Sequence, residues 1–223
     1  MDRLDAIVEN ARQRARFRVA ALRLEHPGLD EVALGQKLVA AVALRAGFAG
    51  AATGALSLVA LPLGLPAGIA VSLLLEAELI FALLDLYEVD TGGEQGRLKL
   101  YALWAGAGFA DAAKSVGMRA GATAIGRILR GSLPARIIRK LNPALVRAIL
   151  RRLGLGWLPR AAKFWPVLGA PIGFALDRAA LRSLGSATLA TLDDDARQRR
   201  RRAPAVARSP RPPRSRRVKV PAS

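Results

Sequence analysis

The chain has no cysteine, one histidine, and only 5% aromatic residues. Without cysteine there is no disulfide framework and no thiolate chemistry. The single histidine, His26, sits beside Pro27 at a helix end and reads as a surface residue; no His/Cys cluster for a transition metal remains. No GxxxxGK[ST] phosphate loop, GxGxxG fingerprint or GxSxG nucleophile elbow is present. The shortage of aromatics leaves no aromatic-rich nucleic-acid module. It also means that alanine, leucine and glycine supply the apolar mass, which favours closely packed helices over a β-sandwich. These absences exclude the common routes to catalysis and leave the cofactor expectation at none. The opening MDRLDAIVENARQRARF carries acids and no apolar core run, unlike a secretory signal.

Charge is missing in blocks. Residues 46–75 carry none at all; residues 112–176 and 196–223 carry no acid; residues 76–94 carry no base. The total is +18, with 29 arginines against 6 lysines. A coding bias toward arginine accounts for part of that number but not for the segregation of signs. A surface so basic favours anionic partners, either lipid headgroups or nucleic acid.

The chain is 223 residues long, 52% hydrophobic, with a mean hydropathy of +0.24, enough for one domain with extensions. Apolar positions 4, 7, 8, 11, 15, 19 and 22 recur at helical spacing, and His26-Pro27-Gly28 stops that helix. Asp30 can cap the next, which runs into the uncharged stretch. That stretch reads as two apolar arms joined by a turn over 61–66, with Pro62, Gly64 and Pro66 at its centre. The second arm continues through Glu76, Glu78, Asp85, Glu88 and Asp90. These acids read as the polar side of one helix, paired with arginines of the 112–163 stretch rather than with a metal. Thr91-Gly92-Gly93 breaks the chain. Helices follow from Glu94 to Gly108 and over 111–130. Asn142-Pro143 reads as an N-cap with proline in the first position, and a last helix is expected over 172–192. No alternation of the strand type appears. Glycines recur four apart at 50/54, 64/68, 117/121 and 169/173, a spacing that lets helices approach closely.

The segments AGFAGAATGAL and LPLGLPAGI, then LLLEAELIFALLDLYEVD and the late KFWPVLGAPIGFALDRAALRSLG, together with His26-Pro27, resemble the EcsC family of bacterial proteins over about residues 26–192. Tyr87 and Asp90 match the family's Leu-Tyr-Gly-x-Asp-like pattern, with Glu88 in place of the glycine. Pro166, Gly169 and Gly173 match its late Pro-x-x-Gly-x-x-x-Gly pattern. The resemblance implies a helical, membrane-associated protein of unestablished role, and it supplies no catalytic residues.

The expectations are then specific. The fold is all-α, a multi-helix bundle built around apolar Gly/Ala-rich hairpins. An amphipathic helix over 1–25 precedes a domain over 26–192, and an Arg/Pro-rich tail over 193–223 is disordered. The function is non-enzymatic membrane association, accessory to transport or an envelope process, at the cytoplasmic face of the bacterial inner membrane or in the cytoplasm. Anionic lipid is held by Arg136, Arg139, Lys140, Arg147, Arg151 and Arg152 and by Arg199, Arg200, Arg201 and Arg202 of the tail. A membrane protein is a further partner. The alternative is a soluble helical scaffold whose tail binds nucleic acid or an acidic protein.

Overall fold

The computed structural model describes residues 2–56, 61–118, 122–131, 133–155 and 169–206. Among them there are helices and turns and no strand, so the fold is all-α.

The first helix, α1 (Asp2–Glu25), buries Val8, Ala11, Ala15 and Val19. This stripe of small and β-branched residues lets its axis sit close to α3 (Leu61–Leu86). Beyond Glu25 the chain turns at Pro27-Gly28, and Asp30 Oδ1 accepts from the Ala33 amide at 2.8 Å, the N-cap of α2 (Glu31–Leu56). Such a cap contributes about 1 kcal/mol.

Helix α3 is the axis of the molecule. From Leu75 to Leu84 every residue is buried, and Ala77, Leu79, Ile80, Leu83 and Leu84 are at 0% exposure. A helix apolar on all sides has to be surrounded. Its neighbours are α1, α2, α4 (Gly93–Ala105) and the long terminal helix α8 (Gly169–Val206).

Glycines set the register of this layer. A Cβ on Gly35 would meet side-chain atoms of Leu189 and Leu83; one on Gly185 would meet Val39 and Leu79. Further along, a Cβ on Gly50 would lie 2.5 Å from the Gly173 carbonyl oxygen. As residue numbers climb along α2 they fall along α3 and α8. Helix α2 is therefore antiparallel to both, and the backbones of α2 and α8 touch at Gly50 and Gly173.

The second layer is α4, a 3-10 turn (Gly106–Gly108), α5 (Phe109–Ser115), α6 (Ala122–Leu129) and α7 (Ala135–Leu155). The break expected at Thr91 to Gly93 is present: Glu88 and Gly93 both take positive φ, 55° and 56°. Helix α4 buries every residue from Leu98 to Ala105 between α3 on one side and α6 and α7 on the other.

Four expectations need correction. Helix α3 already begins at Leu61, so Pro62, Gly64 and Pro66 belong to its first two turns and not to the connecting turn. The first amides of a helix lack intrahelical partners, so Pro62 forfeits little; Pro66, the sixth residue, gives up one helical hydrogen bond. The connection itself, residues 57–60, lies outside the described residues.

Asn142-Pro143 does not start a helix, because α7 runs straight through it. Ile138, Leu141, Leu145, Ala148 and Ile149 form one buried stripe on both sides of the proline, and that packing outweighs its cost of about 3 kcal/mol. Asn142 caps nothing, and its Oδ1 is buried without a hydrogen-bond partner.

The ordered chain does not end at residue 192. Helix α8 continues through the triple aspartate and the arginine run to Val206. Asp193–Arg197 and Asp195–Arg199 pair one turn apart, each at 2.6 Å. Asp195 is also bonded to Arg130 at 2.7 Å, which ties the helix to the second layer. Residues 207–223 lie outside the described residues.

Of the five acids expected on one polar side, Glu88 and Asp90 are exposed and Asp85 is half-buried, but Glu76 and Glu78 are in the core. Glu76 and Glu78 are 4% and 0% exposed, and the cations that answer Glu78 come from α1 and α2 rather than from the 112–163 stretch.

Candidate membrane-facing end and basic surfaces

The register places four exposed large apolar residues at one level of the first layer. Leu44 (41% exposed) and Phe48 (62%) are on α2, Val71 (40%) on α3 and Leu176 (37%) on α8. Antiparallel pairing of 39 with 79 and 185 puts Val71 and Leu176 opposite residues 47–48. The four therefore fall within about 6 Å along the helix axes. Single exposed leucines are ordinary, but a cluster at one level is not. Phe48 meets Phe174 edge-to-face, with ring centroids 5.4 Å apart at 74°. The Arg178 guanidinium lies 5.8 Å from the Phe174 centroid, so the apolar collar carries a cation on its rim.

One described segment, Glu31–Ala52, is long and apolar enough to cross a membrane, with 44% of its window buried inside the protein. Much of its apolar character serves packing on α3 and α8. The collar is what that packing leaves uncovered.

A second feature lies between α1 and α2, which both rest on α3 and scarcely touch each other. Their separation leaves a cleft of about 530 Å³ lined by Arg14, Phe17, Arg18, Leu22, Leu38 and Arg45, among others. Beneath it Glu78 Oε1 accepts from Arg18 Nε at 2.6 Å, and Arg45 Nη1 lies 3.6 Å away. Glu78 Oε2 is buried with no hydrogen-bond partner. Two residues earlier, Glu76 Oε2 accepts from the Trp104 indole at 2.5 Å, a link between α3 and α4. Sequence reasoning missed both the cleft and the collar. The available signal was the pair Glu76 and Glu78 inside LLLEAELIFALL: a charge flanked on all sides by large apolar residues is buried and needs a partner.

The expected basic residues divide into two groups. On α7, Arg136, Arg139, Lys140 and Arg147 are exposed, share one helix face, and form no ion pair with described residues. Arg151 and Arg152 continue α7, with side chains outside the described ones. In α8, by contrast, Arg199 is paired with Asp195, and Arg200 lies 3.9 Å from Glu31. Arg201 is exposed, and Arg202 belongs to the same helix with its side chain outside the described ones. Arg199 and Arg200 are thus less available to an outside anion than the composition of the run suggests.

Of the family-pattern residues, Gly173 makes the close contact with Gly50, and Gly169 is the first residue of α8. Pro166 lies outside the described residues. Asp90 Oδ1 accepts from the Gly92 amide at 2.9 Å, and its carbonyl accepts from Lys99 Nζ at 2.6 Å. Burial holds the Lys99 ammonium below its ordinary pKa, partly offset by Asp90. Tyr87 is half-buried over a smaller cleft of about 370 Å³ shared with Asp30, Glu31, Asp193 and Arg197. Its hydroxyl has no hydrogen-bond partner; burial, with the negative charge of Asp193, Glu31 and Asp30, pushes its pKa up to about 12. Among the described residues no group of three or more His, Cys, Asp or Glu side chains could hold a metal ion.

Comparison with protein-family models finds no match to this chain, and neither do comparisons with curated proteins and with solved structures.

Proposed function

We propose that this is a non-enzymatic, membrane-associated helical protein that enters the lipid interface at the level of the collar in its first layer. The observation that carries the reading is the apolar level formed by Leu44, Phe48, Val71 and Leu176, with Arg178 at its rim. Apolar side chains with a cationic border match the boundary between acyl chains and anionic headgroups. The unpaired cations of α7 add long-range attraction to an anionic surface, about 1 kcal/mol for each Lys or Arg close to it and less as salt rises. The resemblance to the EcsC family belongs to this proposal, as do an accessory role in transport or the envelope and a place at the cytoplasmic face of the inner membrane.

Flotation of the full chain with vesicles tests it. Binding to vesicles containing phosphatidylglycerol is expected, with loss of most of it in the Phe48→Ser/Leu176→Ser variant. No flotation at low salt would rule the reading out.

A further inference from the structure

The α1–α2 cleft has a polarity of its own. Arg14, Arg18 and Arg45 line one end, and Leu22, Leu38 and the exposed Glu25 the other, with Phe17 at 79% exposure on the lip. The cationic end faces the collar: Arg45 adjoins Leu44 and stands three residues, less than one helical turn, from Phe48. A protein resting on a membrane by its collar would hold these guanidinium groups at about headgroup depth.

The three arginines are not equivalent. Arg18 is committed, donating to the buried Glu78 at 2.6 Å. Arg45 is half-exposed and 3.6 Å from the same oxygen, close enough for attraction but too far for a hydrogen bond. Arg14 is exposed and has no ion pair among the described residues. One buried carboxylate therefore fixes Arg18 at the floor and draws Arg45 inward, while most of the donors of Arg14 and Arg45 stay unused. Glu78 is the positioning residue; with Glu25 at the far end it leaves the three cations one charge in excess.

From this geometry we infer that the cleft is a binding site for the phosphate of an anionic phospholipid headgroup, held by Arg14 and Arg45 over the Arg18–Glu78 pair. Guanidinium forks match the geometry of phosphate oxygens, and charge-assisted bonds of this kind are the strong ones. The volume exceeds that of a bare ion and suits a headgroup with its glycerol, which would rest on Phe17 and Leu22. A lipid is favoured over a soluble phosphate because the cationic end opens beside the apolar collar. The inference rests on the membrane reading and adds a discrete headgroup site to it.

The test is calorimetric titration of the full chain with dihexanoyl phosphatidic acid below its micelle concentration, beside inorganic phosphate and beside flotation with long-chain vesicles. Saturable binding of the short-chain lipid is expected. The Arg14→Gln/Arg45→Gln variant should bind it at least about tenfold more weakly. Thermal melting shows whether that variant is folded; Arg14→Gln alone, at an exposed unpaired position, gives the same readout if it is not. Flotation without short-chain binding would overturn the headgroup site and leave the membrane reading standing. Inorganic phosphate binding as tightly as the lipid would assign the cleft to a free anion and overturn the lipid source. Equal affinity in folded variants would overturn the role of the arginines, and failure of both lipid assays would remove both readings.

Discussion

Two acids of the same type and net charge have opposite weight here. Glu9 and Arg12 pair at 2.7 Å on the surface of α1, where Arg12 holds the Glu9 carboxyl below its ordinary pKa. Water screens such a pair, so Arg12→Ala should change stability by less than about 1 kcal/mol. Glu78 is 1% exposed in its side chain, and its one close partner is Arg18. Arg18→Ala leaves a carboxylate in an apolar core with only the distant Arg45 to answer it, and should cost roughly 3–5 kcal/mol in urea unfolding. Tyr87 supplies a pH-dependent case. Its folded pKa of about 12 lies above the ordinary tyrosine value of 10.0, so the folded state keeps the proton longer. The contribution is complete below pH 10 and is lost as pH rises to 12. Tyr87→Phe removes a hydroxyl without a partner. It should leave stability at pH 7 nearly unchanged while flattening the alkaline fall, which melting curves across that range would record.

At the level of whole helices the sequence is informative where the signal is local. The stop at Pro27-Gly28, the Asp30 cap, the Gly92-Gly93 break and the apolar spacing of α1 each act within a few residues, and each is in place. The misread boundaries are those decided by distant partners. Pro143 stays inside α7 because α4 and α5 supply a continuous apolar surface. The triple aspartate extends α8 because Arg130, remote in sequence, reaches Asp195. The cleft was illegible for the same reason: it exists because two helices rest on a third and scarcely touch each other. The proline remains a local defect that packing overrides. Pro143 is exposed, so Pro143→Ala should restore a helical hydrogen bond without disturbing the core. The gain should be roughly 2–2.5 kcal/mol, the helix preference for alanine less the entropy it returns to the unfolded chain, and thermal melting would show it.

For the molecule as a whole, the question is how its cations and its collar divide the work at a membrane. The 35 Lys and Arg residues are spread over several surfaces, and some of them are paired internally with Asp193, Asp195, Glu31 and Glu78. What remains free on α7 acts through a field that decays over about 10 Å at 0.1 M salt. The collar acts by contact and does not decay with salt. These two contributions separate by experiment. Replacing Arg136, Arg139, Lys140 and Arg147 by glutamine should reduce the preference for anionic over neutral vesicles at low salt, leaving the share held by the α1–α2 cleft and a salt-insensitive remainder. The collar variant should behave in the opposite way, keeping an anionic preference that vanishes as salt is raised to about 0.5 M. The two substitutions sit on different layers with no shared contact, so their effects on binding free energy should add. Flotation across a salt series with neutral and anionic vesicles reads both at once. If the α7 variant lost the salt-insensitive part as well, the collar would not be an independent membrane contact, and attraction by charge alone would account for the association.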